Sequence, residues 1–217
     1  VDKAISNVAP PYPVLIFFNI SFMVNNFKLI RSLLAFESEG DFYFLQVLKR
    51  RKDNPSLSKD VKLINNYFIY SLEQFDGLEE HIINECNINN ARAYIRLNVR
   101  NSKKIALQTL KKITDLIICE DYKAVKTAYI SACGEFHSDK NKKWIIDVDN
   151  LSIDIDSLKN DLYKLQKETG KEPILIQIPT KNGIHIITHP FNLQEFKKQY
   201  SLIDIHKDNP TILYIPS

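Results

Sequence analysis

Between Lys142 and Pro190 the order of apolar and polar residues leaves few folds open. KKWIIDVD has the character of a strand, and IDSLKNDLYKLQKETG after it carries apolar residues at helical spacing. Ile174 to Ile178 is a second strand pattern and Ile184 to Thr188 a third, separated by the turn residues Lys181, Asn182 and Gly183. Asn-Gly is a strong hairpin cue. Phe191 to Tyr200 again has helical spacing, and Thr211 to Ile215 supplies a fourth strand. The predicted order is β-α-β-β-α-β.

That order is the split unit of ferredoxin-like and RRM-like domains. Its first and third strands are antiparallel central neighbours, so the start of the third lies beside the end of the first. His185 opens the third; Asp147 and Asp149 close the first. Residues two apart on a strand share a face, so the two carboxylates point the same way and repel. A divalent cation removes that cost, and Mg²⁺ favours one or two carboxylates completed by substrate phosphates. Asp204 precedes the fourth strand, which lies on the other side of the first, so three acids and a histidine gather at one edge. The acid face also holds Ile145 and Ile187, while Trp144, Ile146, Val148, Ile184 and Ile186 take the opposite face. A sheet apolar on both sides calls for a layer on each. Helices cover one. The preceding segment is expected to cover part of the other and leave a cleft where the acids emerge.

Upstream, the spacing predicts helices over Phe27 to Phe36, Asp41 to Lys52, Lys59 to Phe75 and Leu78 to Cys86, with breaks at Asp53-Asn54-Pro55 and Gly77. Ala91 to Val99 alternates as a half-buried strand with a basic face. Ser102 is expected to cap a helix reaching Cys119, with Ile105, Leu107, Leu110, Ile113 and Leu116 inward; Ala124 to Ala132 fits a helix end or a strand. The fold class is therefore α+β: a helical/αβ N-terminal module over 23–89, then an α/β core over 90–217 whose RRM-like unit spans about 142–217. The one methionine, Met23, is expected to start the natural protein, with residues 1–22 an upstream extension outside the fold.

A net charge of +3 does not by itself mark a nucleic-acid partner. Its distribution says more. Lys49-Arg50-Arg51-Lys52 is one basic cluster, and Arg92, Arg96, Arg100, Lys103 and Lys104 make another, as suits phosphate backbones. Cys86, Cys119 and Cys133 are widely spaced without a CxxC pair, which argues against a disulfide framework or zinc site and for a reducing, cytoplasmic setting. The apolar run Tyr12 to Val24 is too short to span a membrane.

With these residues assembled, the chain resembles the archaeo-eukaryotic primase superfamily, including primase-polymerases of phages and plasmids. Trp144-Ile145-Ile146-Asp147-Val148-Asp149 is similar to its hhhDhD strand and Thr180-Lys181-Asn182-Gly183-Ile184-His185 to its sxH motif. Ile203-Asp204 is similar to its hD motif. The resemblance covers roughly residues 91–217. It implies an RRM-like catalytic half and template-dependent nucleotidyl transfer, with Asp147, Asp149 and Asp204 holding two Mg²⁺ or Mn²⁺ ions. His185, Lys181, Thr180 and Gly183 would meet the incoming nucleoside triphosphate. Arg92, Arg96 and the Lys49, Arg50, Arg51, Lys52 run would track a single-stranded DNA or RNA template. A replication helicase or second primase subunit is the implied partner. Two alternatives stay open. One is a non-catalytic RRM-like nucleic-acid-binding or replication accessory subunit, indifferent to Mg²⁺. The other is a cyclase-like nucleotidyltransferase acting without a template.

Overall fold

The computed structural model describes residues 23–138, 140–149, 153–166 and 172–217. The reading of residues 1–22 as an upstream extension lies outside them. In chain order the elements are β1 (Val24–Asn25), α1 (Phe27–Arg31), β2 (Asp41–Arg50), β3 (Val61–Ile69) and α2 (Leu72–Asn89). There follow β4 (Arg92–Ile95), β5 (Arg100–Asn101), α3 (Ser102–Ile118), α4 (Tyr122–Val125) and α5 (Ala128–Glu135). The last part holds β6 (Trp144–Val148), α6 (Ile155–Gln166), β7 (Ile174–Pro179), β8 (Ile184–Thr188), α7 (Leu193–Gln199), β9 (Asp204–His206) and β10 (Thr211–Ile215). The class is α+β, and every strand pairing is antiparallel.

One sheet runs β1-β10-β4-β2-β3 with β5 paired to β2; the other runs β7-β8-β6-β9. In the second sheet Trp144, Ile146, Val148 and Ile186 pack with Leu158 and Leu162 of α6 and Phe196 of α7. On its other face Ile145, Ile178 and Ile187 join a core with Leu45, Val47, Ile95 and Leu213 of the first sheet. The first sheet thus covers part of the acid-bearing face, as the two-sided apolar pattern requires. On the first sheet's far side Phe42 and Phe44 meet Ile105 of α3 and Ala132 and Cys133 of α5.

The upstream region departs from the helical reading. Residues 41–50 and 61–69 form a hairpin of two strands, not two helices. Phe42, Leu45 and Leu48 satisfy an i, i+3 spacing, but Phe42 to Leu45 is an unbroken buried run of aromatic and aliphatic side chains. A strand covered on both faces gives such a run. Asp53-Asn54-Pro55 turns the hairpin and does not end a helix. Gly77 does not break α2, because a single interior glycine costs only about 1 kcal/mol. Ser71 caps that helix by accepting from Gln74 N, and Asn90 ends it in the left-handed conformation. The boundary expected at residue 90 falls between two segments of one assembly, since β4, β5 and β10 join the sheet begun by β1, β2 and β3.

Two further differences concern the ends of elements. Asn101, not Ser102, caps α3, its side chain accepting from Lys104 N. Leu107 and Leu110 point outward, 58% and 62% exposed, although Ile105 is buried as expected. The strand beside β6 is the short β9, with Asp204 inside it. Thr211–Ile215, the expected fourth strand, crosses to the first sheet between β1 and β4. All five of its residues are buried, so it suits a sheet interior, whereas three-residue β9 suits an edge. Among the described residues no helix is long and apolar enough to cross a membrane.

Candidate functional site

Register places the motif residues in one row. Asp147 on β6 pairs with His185 on β8 at one side and with Asp204 on β9 at the other. Directly opposed residues of antiparallel strands share a face. His206, two residues after Asp204, faces the same way and also reaches Asp147. The His185 Nε2 atom lies 3.5 Å from Asp147 Oδ1, and His206 Nε2 lies 3.8 Å from Oδ2. These separations are long for hydrogen bonds. They are short enough for His185 to hold the Asp147 carboxyl below the ordinary carboxylate range; burial opposes the shift and His206 adds to it. Oδ1 of Asp147 is buried and has no hydrogen-bond partner among the described residues.

Second contacts fix the two imidazoles. Nδ1 of His185 is 2.8 Å from Oγ1 of Thr211, a fully buried residue on β10. The crossover strand thus reaches back to orient a side chain of the other sheet. Nδ1 of His206 is 3.0 Å from Nδ2 of Asn209.

The turn between β7 and β8 explains Gly183. Its φ is not positive, so the Asn-Gly pair is not a two-residue primed hairpin turn; the loop runs over 180–183. Close approach demands the glycine instead. A Cβ there would sit 2.0 Å from the carbonyl oxygen of Val148 and 2.9 Å from Cα of Asp149. Glycine lets the turn pack against the backbone that carries the acids. Thr180 closes this turn, since its Oγ1 accepts from Gly183 N at 3.1 Å and its own N–H donates to Gly183 O. That bond uses one lone pair of the Thr180 hydroxyl and leaves its O–H as a donor.

A cleft of about 390 Å³ opens at this edge. Asp147, Asp149, His185, His206, Lys181 and Thr180 line it from the second sheet; Arg50, Lys52, Arg92 and Tyr94 line it from the first. The Arg50 guanidinium donates to the Tyr94 hydroxyl at 3.3 Å. Arg92 is 3% exposed and donates from Nη2 to Asp53 Oδ1 at 2.6 Å. Burial, with the neighbouring Arg92 and Arg50 charges, pushes the Lys52 ammonium below its ordinary value.

Other expected residues stand elsewhere. Asp204 is exposed and does not line the cleft, although it is in register with Asp147. Lys49 and Arg51 also lie off the cleft, and Arg51 faces Asp60 across 3.8 Å of solvent-exposed hairpin. Arg96 is not turned toward the cleft. With Arg100, which is fully buried, it pairs with Asp208, at 3.3 and 2.5 Å respectively. Buried charges need partners, and these two arginines anchor the β9–β10 connection to the first sheet. Sequence reasoning missed Asp53, Thr211 and Asp208. Asp53 carried only a turn signal, Thr211 only a strand signal, and Asp208 no signal at all.

Among the described residues no three or more His, Cys, Asp and Glu side chains are arranged to hold a metal ion by themselves. Two carboxylates completed by phosphate oxygens remain chemically suited to Mg²⁺, and the unpartnered Oδ1 of Asp147 agrees with that fit. No family model, curated protein or solved structure matches the chain.

Proposed function

We propose that the chain is a template-dependent nucleotidyltransferase of primase or primase-polymerase type, with the β7-β8-β6-β9 sheet as an RRM-like catalytic half. One observation carries the reading. Asp147 and Asp149 emerge into the same cleft as Arg50, Lys52, Arg92 and Lys181. Carboxylates for a cation beside cations for an anion are what a metal–triphosphate substrate needs. The strand order and the Asp147–His185 register support the motif assignment made from sequence.

In this reading Asp147 and Asp149 hold Mg²⁺ or Mn²⁺. Two such ions held there would supply the Lewis acidity for the transfer, one lowering the pKa of a 3′-hydroxyl and the other offsetting the charge of the departing pyrophosphate. His185, oriented by Thr211, meets a phosphate oxygen of the incoming nucleotide. Lys181, Arg92, Lys52 and Arg50 balance the remaining phosphate charge; Asp204 is in register with Asp147 but stands outside the cleft, so the two cleft carboxylates carry the metal role. Gly183 keeps the turn low so that phosphates can approach.

The test is labelled-nucleotide incorporation on single-stranded DNA with Mg²⁺ or Mn²⁺, comparing dNTPs with NTPs. Template-dependent products are expected. Turnover without template would replace the reading with a cyclase-like one. Metal-indifferent DNA binding without turnover would replace it with a binding subunit.

A further inference from the structure

Asp53 touches neither acid and does not line the cleft, yet it holds two of the cleft's cations. Its Oδ1 accepts from Arg92 Nη2 at 2.6 Å and lies 3.4 Å from Lys181 Nζ. Arg92 belongs to β4 of the first sheet and Lys181 to the β7–β8 turn of the second, so one carboxylate ties the two sheets together at the rim of the cleft. The backbone that carries the carboxylate is held in place, while its Oδ2 is buried without a hydrogen-bond partner among the described residues. Asn54, 8% exposed, donates from Nδ2 to Arg50 O and Asn90 O, and Asn90 Nδ2 donates back to Asp53 O at 3.0 Å.

The arrangement does not exhaust the cations. Arg92 has a buried Nε without a hydrogen-bond partner among the described residues. Asp53 pairs with Arg92 and Lys181, while Arg50 and Lys52 line the cleft without pairing to it, beside Asp147 and Asp149. Burial works against ionisation of Asp53, but Arg92 and Lys181 outweigh it and hold the carboxyl below its ordinary range.

We propose that Asp53 is a positioning residue: it fixes Arg92 and Lys181, drawn from different sheets, at the spacing that receives the phosphates of an anionic substrate. The inference rests on reading the cleft as a triphosphate site. The alternative is that Asp53 only neutralises a buried arginine. The two accounts differ in sign. Simple neutralisation predicts that Asp53→Asn, by removing a negative charge, tightens anion binding, and that Asp53→Glu, which keeps the charge but moves it outward, changes nothing. Positioning predicts that both variants bind more weakly.

The measurement is calorimetric titration of inorganic tripolyphosphate into the full chain, wild type and both variants, alongside melting curves. About tenfold weaker binding is expected for each variant, the size of coupling found between residues in direct contact. Where the two variants retain nucleotide incorporation, KM rises more than kcat falls. Tighter binding by Asp53→Asn, or unchanged binding by Asp53→Glu, would overturn the proposal. Should Asp53→Asn fail to fold, Asp53→Glu decides alone. Tripolyphosphate affinity does not depend on polymerisation. An Asp53-dependent site on a chain that makes no primers therefore refutes the nucleotidyltransferase reading and leaves the role of Asp53 standing.

Discussion

Substituting Gly183 by alanine tests the geometry that joins the turn to the acid strand. The new Cβ would lie 2.0 Å from Val148 O. That is about 1.3 Å inside the ~3.3 Å at which a carbon and a carbonyl oxygen ordinarily meet. The second contact, Asp149 Cα at 2.9 Å, is also backbone, so no flexible side chain can yield. Overpacking costs about 1–3 kcal/mol, and a clash against two rigid backbone atoms belongs at the upper end. Alanine also stiffens the unfolded chain, which offsets ~0.4–1 kcal/mol of that loss. The net destabilisation is about 2 kcal/mol, a fall in Tm of roughly 4–8 °C for a chain of this length. Relief of the clash must move either the turn or Asp149, and a shift of about 1 Å at a reacting centre can lower turnover ~10²-fold. Thermal melts and nucleotide incorporation by Gly183→Ala measure the two effects separately. A variant with the wild-type Tm and full activity would refute the close-approach argument.

Other expectations are independent of that turn. Asp208→Asn leaves the fully buried Arg100 without its charge partner and should cost about 3–5 kcal/mol in urea unfolding. The depressed Asp53 carboxyl makes its stabilisation present above the ordinary carboxylate pKa of about 3.9 and lost as pH falls through the lower folded-state value. The margin of wild type over Asp53→Asn in unfolding experiments should therefore hold near neutral pH and shrink in acid; a margin that grows in acid would contradict the ion-pair assignment. Leu107→Lys and Ile118→Lys, at positions 58% and 73% exposed, should each leave stability within about 0.5 kcal/mol.

The second sheet was legible because its strands are short, rich in β-branched isoleucine and punctuated by turn residues. Asp147 and His185 were placed as neighbours by topology, and the register bears that out. In the first sheet β4 and β10 read as strands, but the β2–β3 hairpin was not legible, for a physical reason. β2 is covered on both faces, so it lacks the two-residue alternation that separates a strand from a helix. β9 is too short to show a pattern, and the longer apolar run of β10 took its place in the expected order although it belongs to the other sheet. The basic face expected around Arg92, Arg96 and Arg100 is largely interior. Their carboxylate partners lie far away in sequence: Asp208 is 108 residues from Arg100, and Asp53 is 39 from Arg92. No local pattern carries such pairings. For the same reason Thr211, 26 residues beyond His185, read only as part of a strand.

The proposed activity requires Asp147 and Asp149 to turn a charged cleft into a metal-dependent site for joining nucleotides. Incorporation of labelled nucleotides on single-stranded DNA, measured for wild type, Asp147→Ala and Asp149→Ala at matched folding, tests it most directly. Mg²⁺- or Mn²⁺-dependent products from wild type, and none from either variant, are expected. Equal product from all three proteins, or no product from wild type with either metal, would contradict the account.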